Sequence, residues 1–147
     1  MTIICDTRQK EGKHELKHNY FRKQGYELQF LPLAVGDYML PNRDISVDTK
    51  KDLGEVCGNV FGDRNRFLKE VKRAEQLEIR LVFLIENGGG IRELEDVRFW
   101  QNKYGKVCGK DLEKRMRQLS VNYGVDFRFC TKQGAGKRIL EILGGED

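Results

Sequence analysis

Apolar residues along this chain recur with two periods, one typical of strands and one typical of helices. In 26–31, Tyr26, Leu28 and Phe30 alternate with polar residues, which predicts a strand with one buried face. In 64–78, apolar residues recur at helical spacing, which predicts a helix with one buried side. The predicted strands cover residues 2–6, 26–31, 80–86 and 125–130, and the predicted helices cover residues 13–24, 52–60, 64–78, 110–123 and 136–143. Because strands and helices alternate, we expect an α/β fold with a mixed central β-sheet flanked by helices, in a single domain over 1–147.

Two further segments, 36–41 and 44–50, flank the turn-rich tetrapeptide Pro-Asn-Arg-Asp and predict a β-hairpin. If the hairpin turns symmetrically about the middle of this tetrapeptide, Asp37 lies directly opposite Asp48. Side chains alternate along a strand, so Asp48 and Lys50 point to the same face. The hairpin therefore predicts that two carboxylates and one amine meet on one face. The segment 91–109 has no clear period, and we assign no element to it.

Two opposed carboxylates repel each other unless a cation lies between them. Mg²⁺ usually takes one or two carboxylates together with water and phosphate oxygens, so Asp37 and Asp48 predict a site for Mg²⁺ or Mn²⁺. The ammonium group of Lys50 can orient an attacking water and offset negative charge that grows on a phosphate. The same three residues also fit an exposed polar hairpin on which Lys50 simply pairs with an acid. The hairpin by itself leaves both interpretations open.

Four segments of the chain form a pattern that can be compared with known families. They are Ile4-Cys5-Asp6-Thr7-Arg8, Leu33-Ala34-Val35-Gly36-Asp37-Tyr38, Val47-Asp48-Thr49-Lys50, and the segment 62–74 with Arg66-Phe67 and Arg73. In this order they resemble the nuclease domain of the XPF-type structure-specific endonucleases, a branch of the PD-(D/E)xK nuclease superfamily. The resemblance covers most of the chain. It implies a restriction-endonuclease-like core and a metal-dependent endonuclease that cuts branched or flapped DNA, with roles in DNA repair and recombination.

The resemblance also assigns roles to individual residues. By resemblance, the catalytic residues are Asp37, Asp48, Lys50 and Asp6, the metal ligands are Asp37, Asp48, the Thr49 carbonyl and Asp6, and the DNA-binding residues are Arg8, Arg66 and Arg73. Lys50 would position the attacking water, and Asp6 would reach the metal directly or through water. From the residues alone, Asp6 could equally cap the loop that leads into the first helix.

The chain departs from the family pattern at several positions. Asp48, Thr49 and Gln9 stand where the family has Glu, Arg and Glu, and the spacing from Lys50 to Asp52 is shorter. Asp48 can still bind a metal with a shorter reach. The missing arginine removes a phosphate contact that Arg8 or Arg66 would have to supply.

Pairing of XPF-type nuclease domains implies a homodimer, or a heterodimer with a DNA-binding partner. The surface that we expect to form it is 110–143. We expect no helix-hairpin-helix module within these residues.

Two other functions compete with the nuclease. A catalytically inactive subunit could bind branched DNA without cutting it, although the intact set of Asp37, Asp48 and Lys50 argues against this. The second is a zinc protease, because His14-Glu15-Leu16-Lys17-His18 matches HExxH, in which two histidines bind zinc and the glutamate is the base. No persuasive third ligand follows. We therefore expect a surface helix that buries Leu16, Tyr20 and Phe21.

Charge and cysteine content add limits to this picture. With 27 Lys and Arg against 23 Asp and Glu, the net charge of +4 would attract a polyanion. The basic residues cluster in two predicted helices, at Arg64, Arg66, Lys69, Lys72 and Arg73 and at Lys110, Lys114, Arg115 and Arg117, where they could also be solvated helix faces. The four widely spaced cysteines predict reduced, mostly buried thiols. No apolar run approaches the roughly 20 residues that span a bilayer, and no signal peptide is evident, so we expect a cytoplasmic protein without membrane contact.

Overall fold

The computed structural model describes residues 1–9, 12–103 and 105–145. Its strands form one six-stranded mixed sheet in the order β2-β1-β3-β4-β5-β6. The strands are β1 (Thr2–Asp6), β2 (Glu27–Leu31), β3 (Tyr38–Met39), β4 (Ile45–Lys50), β5 (Arg80–Ile85) and β6 (Asp126–Phe129). The α-helices are α1 (Glu15–Lys23), α2 (Leu53–Cys57), α3 (Arg64–Gln76), α4 (Gly109–Tyr123) and α5 (Ala135–Leu143). The predicted α/β class and mixed sheet are confirmed.

Two apolar clusters cover the two faces of this sheet. Successive residues of β5 alternate between them, with Val82 and Leu84 in one cluster and Phe83 and Ile85 in the other. The first cluster packs against α1 and α5, and the second packs against α2, α3 and α4. In β4, Val47 belongs to the first cluster, so the neighbouring side chains of β4 point to the face that α3 covers.

The hairpin has the predicted register but shorter pairing. Tyr38 lies opposite Val47 and Met39 lies opposite Ser46, as a symmetric turn requires. The predicted first strand 36–41 is reduced to two residues, because Gly36 adopts a φ of +74° that breaks the extended conformation. A Cβ atom at Gly36 would also collide with the Ser46 side chain.

The edge strand β2 is more exposed than its pattern predicted. Phe30 is 48% exposed and Leu31 is 40% exposed, while Leu28 is only half-buried. The strand pairs with β1 on one side and has no strand on its other side. The prediction of a fully buried face was therefore wrong, because alternation alone does not reveal a position at the sheet edge.

Helix α1 also buries a different side from the one expected. Phe21 is fully buried, but Leu16 is 50% exposed and Lys17 is buried instead. The reason is an ion pair, since Lys17 Nζ lies 2.7 Å from Glu86 Oε2. The prediction that Leu16 faces the core was wrong.

Helix boundaries differ most where the backbone leaves the regular α-helix. The helix predicted over 52–60 is α2 followed by a π-helix, Gly58–Gly62. The unassigned segment 91–109 contains a 3-10 helix, Leu94–Phe99, followed by the half-buried Trp100.

The cysteines are free but not mostly buried. Cys5 is buried, Cys57 and Cys130 are half-buried, and Cys108 is exposed. Burial raises the pKa of Cys5 and of Cys130 to about 12, so these two thiols stay protonated at neutral pH. No helix of the described residues is long and apolar enough to cross a membrane.

Candidate active site

A cleft of about 650 Å³ collects the residues that the sequence singled out. It is lined by Asp6, Arg8, Asp37, Asp48, Lys50, Arg66 and Arg73, together with parts of the loop 34–36 and further residues of α3. Thr49 is the one predicted site residue that does not line the cleft. The cleft therefore brings together side chains from β1, the hairpin and α3.

Backbone hydrogen bonds fix the position of Asp37 between two strands. The Asp6 amide donates to the Asp37 carbonyl at 2.8 Å, and the Asp37 amide donates to the Val47 carbonyl at 2.8 Å. The Asp37 side chain is held as well, because its Oδ2 accepts from the Thr49 amide and from Thr49 Oγ1, each at 2.9 Å. Thr49 thus orients a carboxylate of the cleft instead of pointing into the cleft itself.

Asp48 is a buried acid of the cleft whose charged form is disfavoured by its surroundings. Its side chain is 11% exposed, and its Oδ2 lies 3.5 Å from Lys50 Nζ. Burial raises the pKa of Asp48 well above its usual value, the charge of Asp37 raises it further, and Lys50 opposes part of this shift. A hydrogen bond between Asp48 and Asp37 adds to the effect, and so does the charge of Glu70. The pair of acids therefore holds a proton more tightly than two separate aspartates would.

Lys50 is confined as tightly as the acids. Its side chain is 14% exposed, and its ammonium nitrogen lies 5.7 Å from the centre of the Phe83 ring. A lysine in this setting cannot move freely between conformations, because the aromatic face and the Asp48 carboxylate both hold its charged end. The prediction that Asp48 and Lys50 point to one face fits this contact.

Asp6 already has partners in the cleft. Its Oδ1 accepts from the Leu33 amide at 2.9 Å, and the Arg8 guanidinium donates to both carboxylate oxygens. Arg8 also donates to the Leu33 carbonyl. Asp6 and Arg8 thus both bind the backbone of Leu33, in the loop that leads to Asp37. This loop lies between β2 and β3, so the contact is not the cap of the loop into the first helix that the residues alone suggested for Asp6.

Helix α3 forms the opposite wall and contains a carboxylate that the sequence analysis missed. Glu70 lies between Arg66 and Arg73 at helical spacing, and its Oε1 accepts from the Gly36 amide at 3.4 Å. Arg73 donates to the Ala34 carbonyl at 3.4 Å. The signal was available, since Glu70 follows Arg66 by one helical turn and so shares its face. It was overlooked because the family pattern does not single out an acid there.

The donor set of the cleft fits a hard divalent cation. Asp37 and Asp48 offer oxygen atoms only, and burial together with the charge of Asp37 raises the pKa of Asp48. Within the described residues, no group of three or more His, Cys, Asp or Glu is arranged to hold a metal by protein ligands alone. Carboxylate oxygens together with water and phosphate oxygens are the usual shell of Mg²⁺ in proteins.

The HExxH segment is built into the fold in a different way. His18 Nε2 lies 2.9 Å from the Tyr38 hydroxyl, and the rings of His14 and His18 are 6.1 Å apart. Burial lowers the pKa of His18 to about 4, and it lowers the pKa of His14 as well. Among the residues that the structure describes, no third ligand joins the two histidines. The two histidines pack α1 against Tyr38.

The chain is similar to known proteins in both sequence and fold. The model of the ERCC4 domain family matches residues 5–142. XPF from Aeropyrum pernix is similar to the chain in structure, with a TM-score of 0.68 and 15% identity over 98% of this chain and 60% of that one. XPF from Aeropyrum pernix in complex with DNA has a TM-score of 0.67 and 17% identity, over 97% of this chain and 63% of that one. No curated protein matches the chain. The predicted XPF-type fold is confirmed. The chain covers only 60% and 63% of the length of those two structures.

Proposed function

The chain belongs to the ERCC4 domain family, a family of nuclease domains, and from that premise we propose that it is a metal-dependent endonuclease that cuts branched or flapped DNA. The observation that supports this best is the meeting of Asp37, Asp48 and Lys50 on one wall of a cleft whose other wall is basic. Two acids and a lysine facing arginines are suited to phosphodiester hydrolysis.

The metal-binding residues in this proposal are Asp37 and Asp48, with the Thr49 carbonyl as a further ligand. When bound, Mg²⁺ or Mn²⁺ would polarise the phosphate and lower the pKa of a water molecule. Asp6 would contribute through water, because Arg8 and the Leu33 amide already occupy its carboxylate. The proton that Asp48 holds must leave before a cation enters, so affinity for the cation rises with pH.

The remaining residues of the cleft act on the substrate. Lys50 orients the attacking water and balances negative charge that develops on the phosphate. In this proposal, phosphate oxygens are contacted by Arg8, Arg66 and Arg73. The hydrogen bonds that Arg8 and Arg73 now donate to carbonyls of the loop would be replaced by bonds to phosphate oxygens, which are stronger acceptors.

Partners follow from the family in the same way. We propose a homodimer, or a heterodimer with a DNA-binding partner, formed through 110–143, and a role in DNA repair or recombination. A cytoplasmic location stays a prediction. A similar structure is titled as a complex with DNA, which supports DNA as the substrate of this chain.

The test is cleavage of labelled flap, fork, junction and linear duplex DNA in Mg²⁺, Mn²⁺ or EDTA. Asp48→Asn and Lys50→Met are compared with Lys51→Met, which changes an exposed neighbour outside the cleft. Metal-dependent cutting that Asp48→Asn and Lys50→Met abolish and Lys51→Met preserves would support the proposal. Binding of branched DNA without cutting by the intact chain would overturn it and favour the inactive DNA-binding subunit.

A further inference from the structure

A second groove lies on the outer face of α3 and joins the cleft. It has a volume of about 460 Å³, and its lining shares Arg66 and Lys69 with the cleft. We define the α3 track as the residues that line it, Asn65, Arg66, Leu68, Lys69 and Lys72. We propose that the α3 track binds the phosphate backbone of a duplex arm of the DNA, next to the bond that is cut. The inference rests on the proposed function, because that function places DNA in the adjoining cleft.

The cations of the α3 track differ from several arginines elsewhere in the described residues, which pair with acidic side chains. Within 1–9, 12–103 and 105–145, Arg66, Lys69 and Lys72 have no ion pair, and all three are exposed. On α4 and beside it, by contrast, Arg117 and Arg98 both pair with Glu113, at 3.0 and 2.9 Å. Unpaired cations in a row beside a proposed nuclease cleft are free to take phosphate groups as partners.

The sequence of α3 also works against the stability of its own helix. No acidic residue lies in its first turn, where a carboxylate would favour the positive end of the helix dipole, and Arg64 and Arg66 stand there instead. The side chain of Asp63 makes no capping hydrogen bond. Lys69 and Arg73 repel each other across one turn. A helix that breaks these local rules is expected where an anionic ligand compensates for them.

The lining of the α3 track indicates contact with backbone and not with bases. Of the described residues that line it, none is aromatic and Leu68 alone is apolar. Proteins that hold single strands combine a basic groove with aromatic side chains on which bases stack. Cations without such a stacking surface fit a duplex, whose bases stay paired and whose phosphates face outward.

The experiment measures how the affinity for DNA depends on salt, in EDTA so that no cutting occurs. Lys69→Gln/Lys72→Gln is compared with Lys13→Gln/Lys23→Gln, which removes the same charge from exposed positions just before α1 and at its end, away from the cleft. Fluorescence anisotropy gives the slope of log affinity against log salt between about 50 and 200 mM. The probes are a 20-base-pair duplex, a flap with a duplex arm, and a single strand.

Each phosphate contact to a duplex contributes about 0.9 to this slope, so the α3 variant is expected to lose about 1.8. Over a fourfold range of salt, its affinity for duplex would then fall about tenfold less than that of the wild type. The slope of the control variant Lys13→Gln/Lys23→Gln should stay within error of the wild type, and single-strand binding of the α3 variant should change little. Equal slopes for the α3 variant and the wild type on duplex would overturn the inference. A loss that is as large on the single strand would overturn its assignment to a duplex arm.

The cleavage assay separates this inference from the proposed function. If the wild type cuts DNA in a metal-dependent way but the α3 variant keeps its slope, the function stands and the α3 track is wrong. If the slope falls as expected but no substrate is cut, the α3 track stands as a binding surface and the nuclease proposal is wrong.

Discussion

Two lysine–carboxylate pairs are buried among the residues that the structure describes, and they differ in the number of acids around the lysine. Lys17 and Glu86 lie 2.7 Å apart, each 6% exposed, and join α1 to the end of β5. Lys50 and Asp48 lie 3.5 Å apart, and Asp37 crowds the same carboxylate. One cation thus meets one anion in the first pair and faces two acids in the second. The first pair satisfies its charges within the fold, whereas the second leaves negative charge that a metal ion and its substrate would complete.

The largest expected effect comes from breaking the satisfied pair. Glu86→Ala leaves the ammonium of Lys17 buried without a partner, which should cost about 3–5 kcal/mol in the free energy of unfolding. Urea denaturation measures the loss. The double variant Lys17→Met/Glu86→Leu removes both charges and should recover most of it. A loss under about 1 kcal/mol for Glu86→Ala would show that the pair is not buried in solution.

Breaking the crowded pair should cost activity and little stability. Lys50→Met removes the ammonium that balances charge on the phosphate, and cleavage should fall by about 100-fold or more. Its free energy of unfolding should change by less than about 1 kcal/mol, because Asp48, whose pKa is raised, can take up a proton when the ammonium is lost. The methionine side chain can also keep the contact with Phe83. Single-turnover cleavage and urea denaturation are measured on the same preparation. Equal losses in stability for Lys50→Met and Glu86→Ala would erase the distinction between the two pairs.

Neutralising the crowded acid should stabilise the metal-free protein. Asp48→Asn removes a buried charge that Asp37 repels, and the gain should be on the order of 1–2 kcal/mol at neutral pH. Because the raised pKa means that the folded state holds an extra proton, wild-type stability falls as pH rises from the usual aspartate pKa to the raised value. The difference between Asp48→Asn and the wild type should therefore grow with pH across that window. Thermal melts in EDTA across a pH series measure it, and a constant or shrinking difference would contradict the assignment.

The smallest expected effect concerns the residue that orients Asp37. Thr49→Val removes the Oγ1 hydrogen bond to Asp37 and keeps the bond from the Thr49 amide. The free energy of unfolding should therefore fall by about 0.5–1 kcal/mol. Cleavage should fall less than it does in Lys50→Met, because the carboxylate keeps one of its two donors. Thr49→Ser serves as the control, since it retains the hydroxyl. A Thr49→Ser variant as impaired as Thr49→Val would mean that the hydroxyl is not what matters.

The hairpin shows which features could be predicted from the sequence. A symmetric two-stranded turn has only one register once its centre is known, so the pairing of Tyr38 with Val47 and of Met39 with Ser46 required no tertiary information. Asp37 lies just before this pairing, where its amide donates to the Val47 carbonyl. The buried strand β5 was equally readable, because a continuous apolar run leaves few alternatives. These two elements supply Asp37, Asp48, Lys50 and the Phe83 ring beside them.

Other features depended on distant contacts that periodicity does not report. Leu16 was expected to be buried, but burial in α1 depends on Glu86, which lies 69 residues further along the chain from Lys17. The exposure of Phe30 depends on the place of β2 at the sheet edge. The role of Glu70 depends on the loop amide that it meets across the cleft. In each case the missing information was the position of another element in space.

Gly36 gives the cleft a mutational weak point that involves no charge. Its backbone is held at a φ of +74°, and the space where a side chain would begin is already filled by Ser46. One added carbon atom would force apart the segment next to Asp37, and no rearrangement of flexible side-chain ends can absorb both the strain and the collision. Substitution of Gly36 alone is therefore expected to inactivate the domain while every acidic and basic residue of the cleft stays in place. The shape of the cleft beside Asp37 therefore depends on a position that has no room for a side chain.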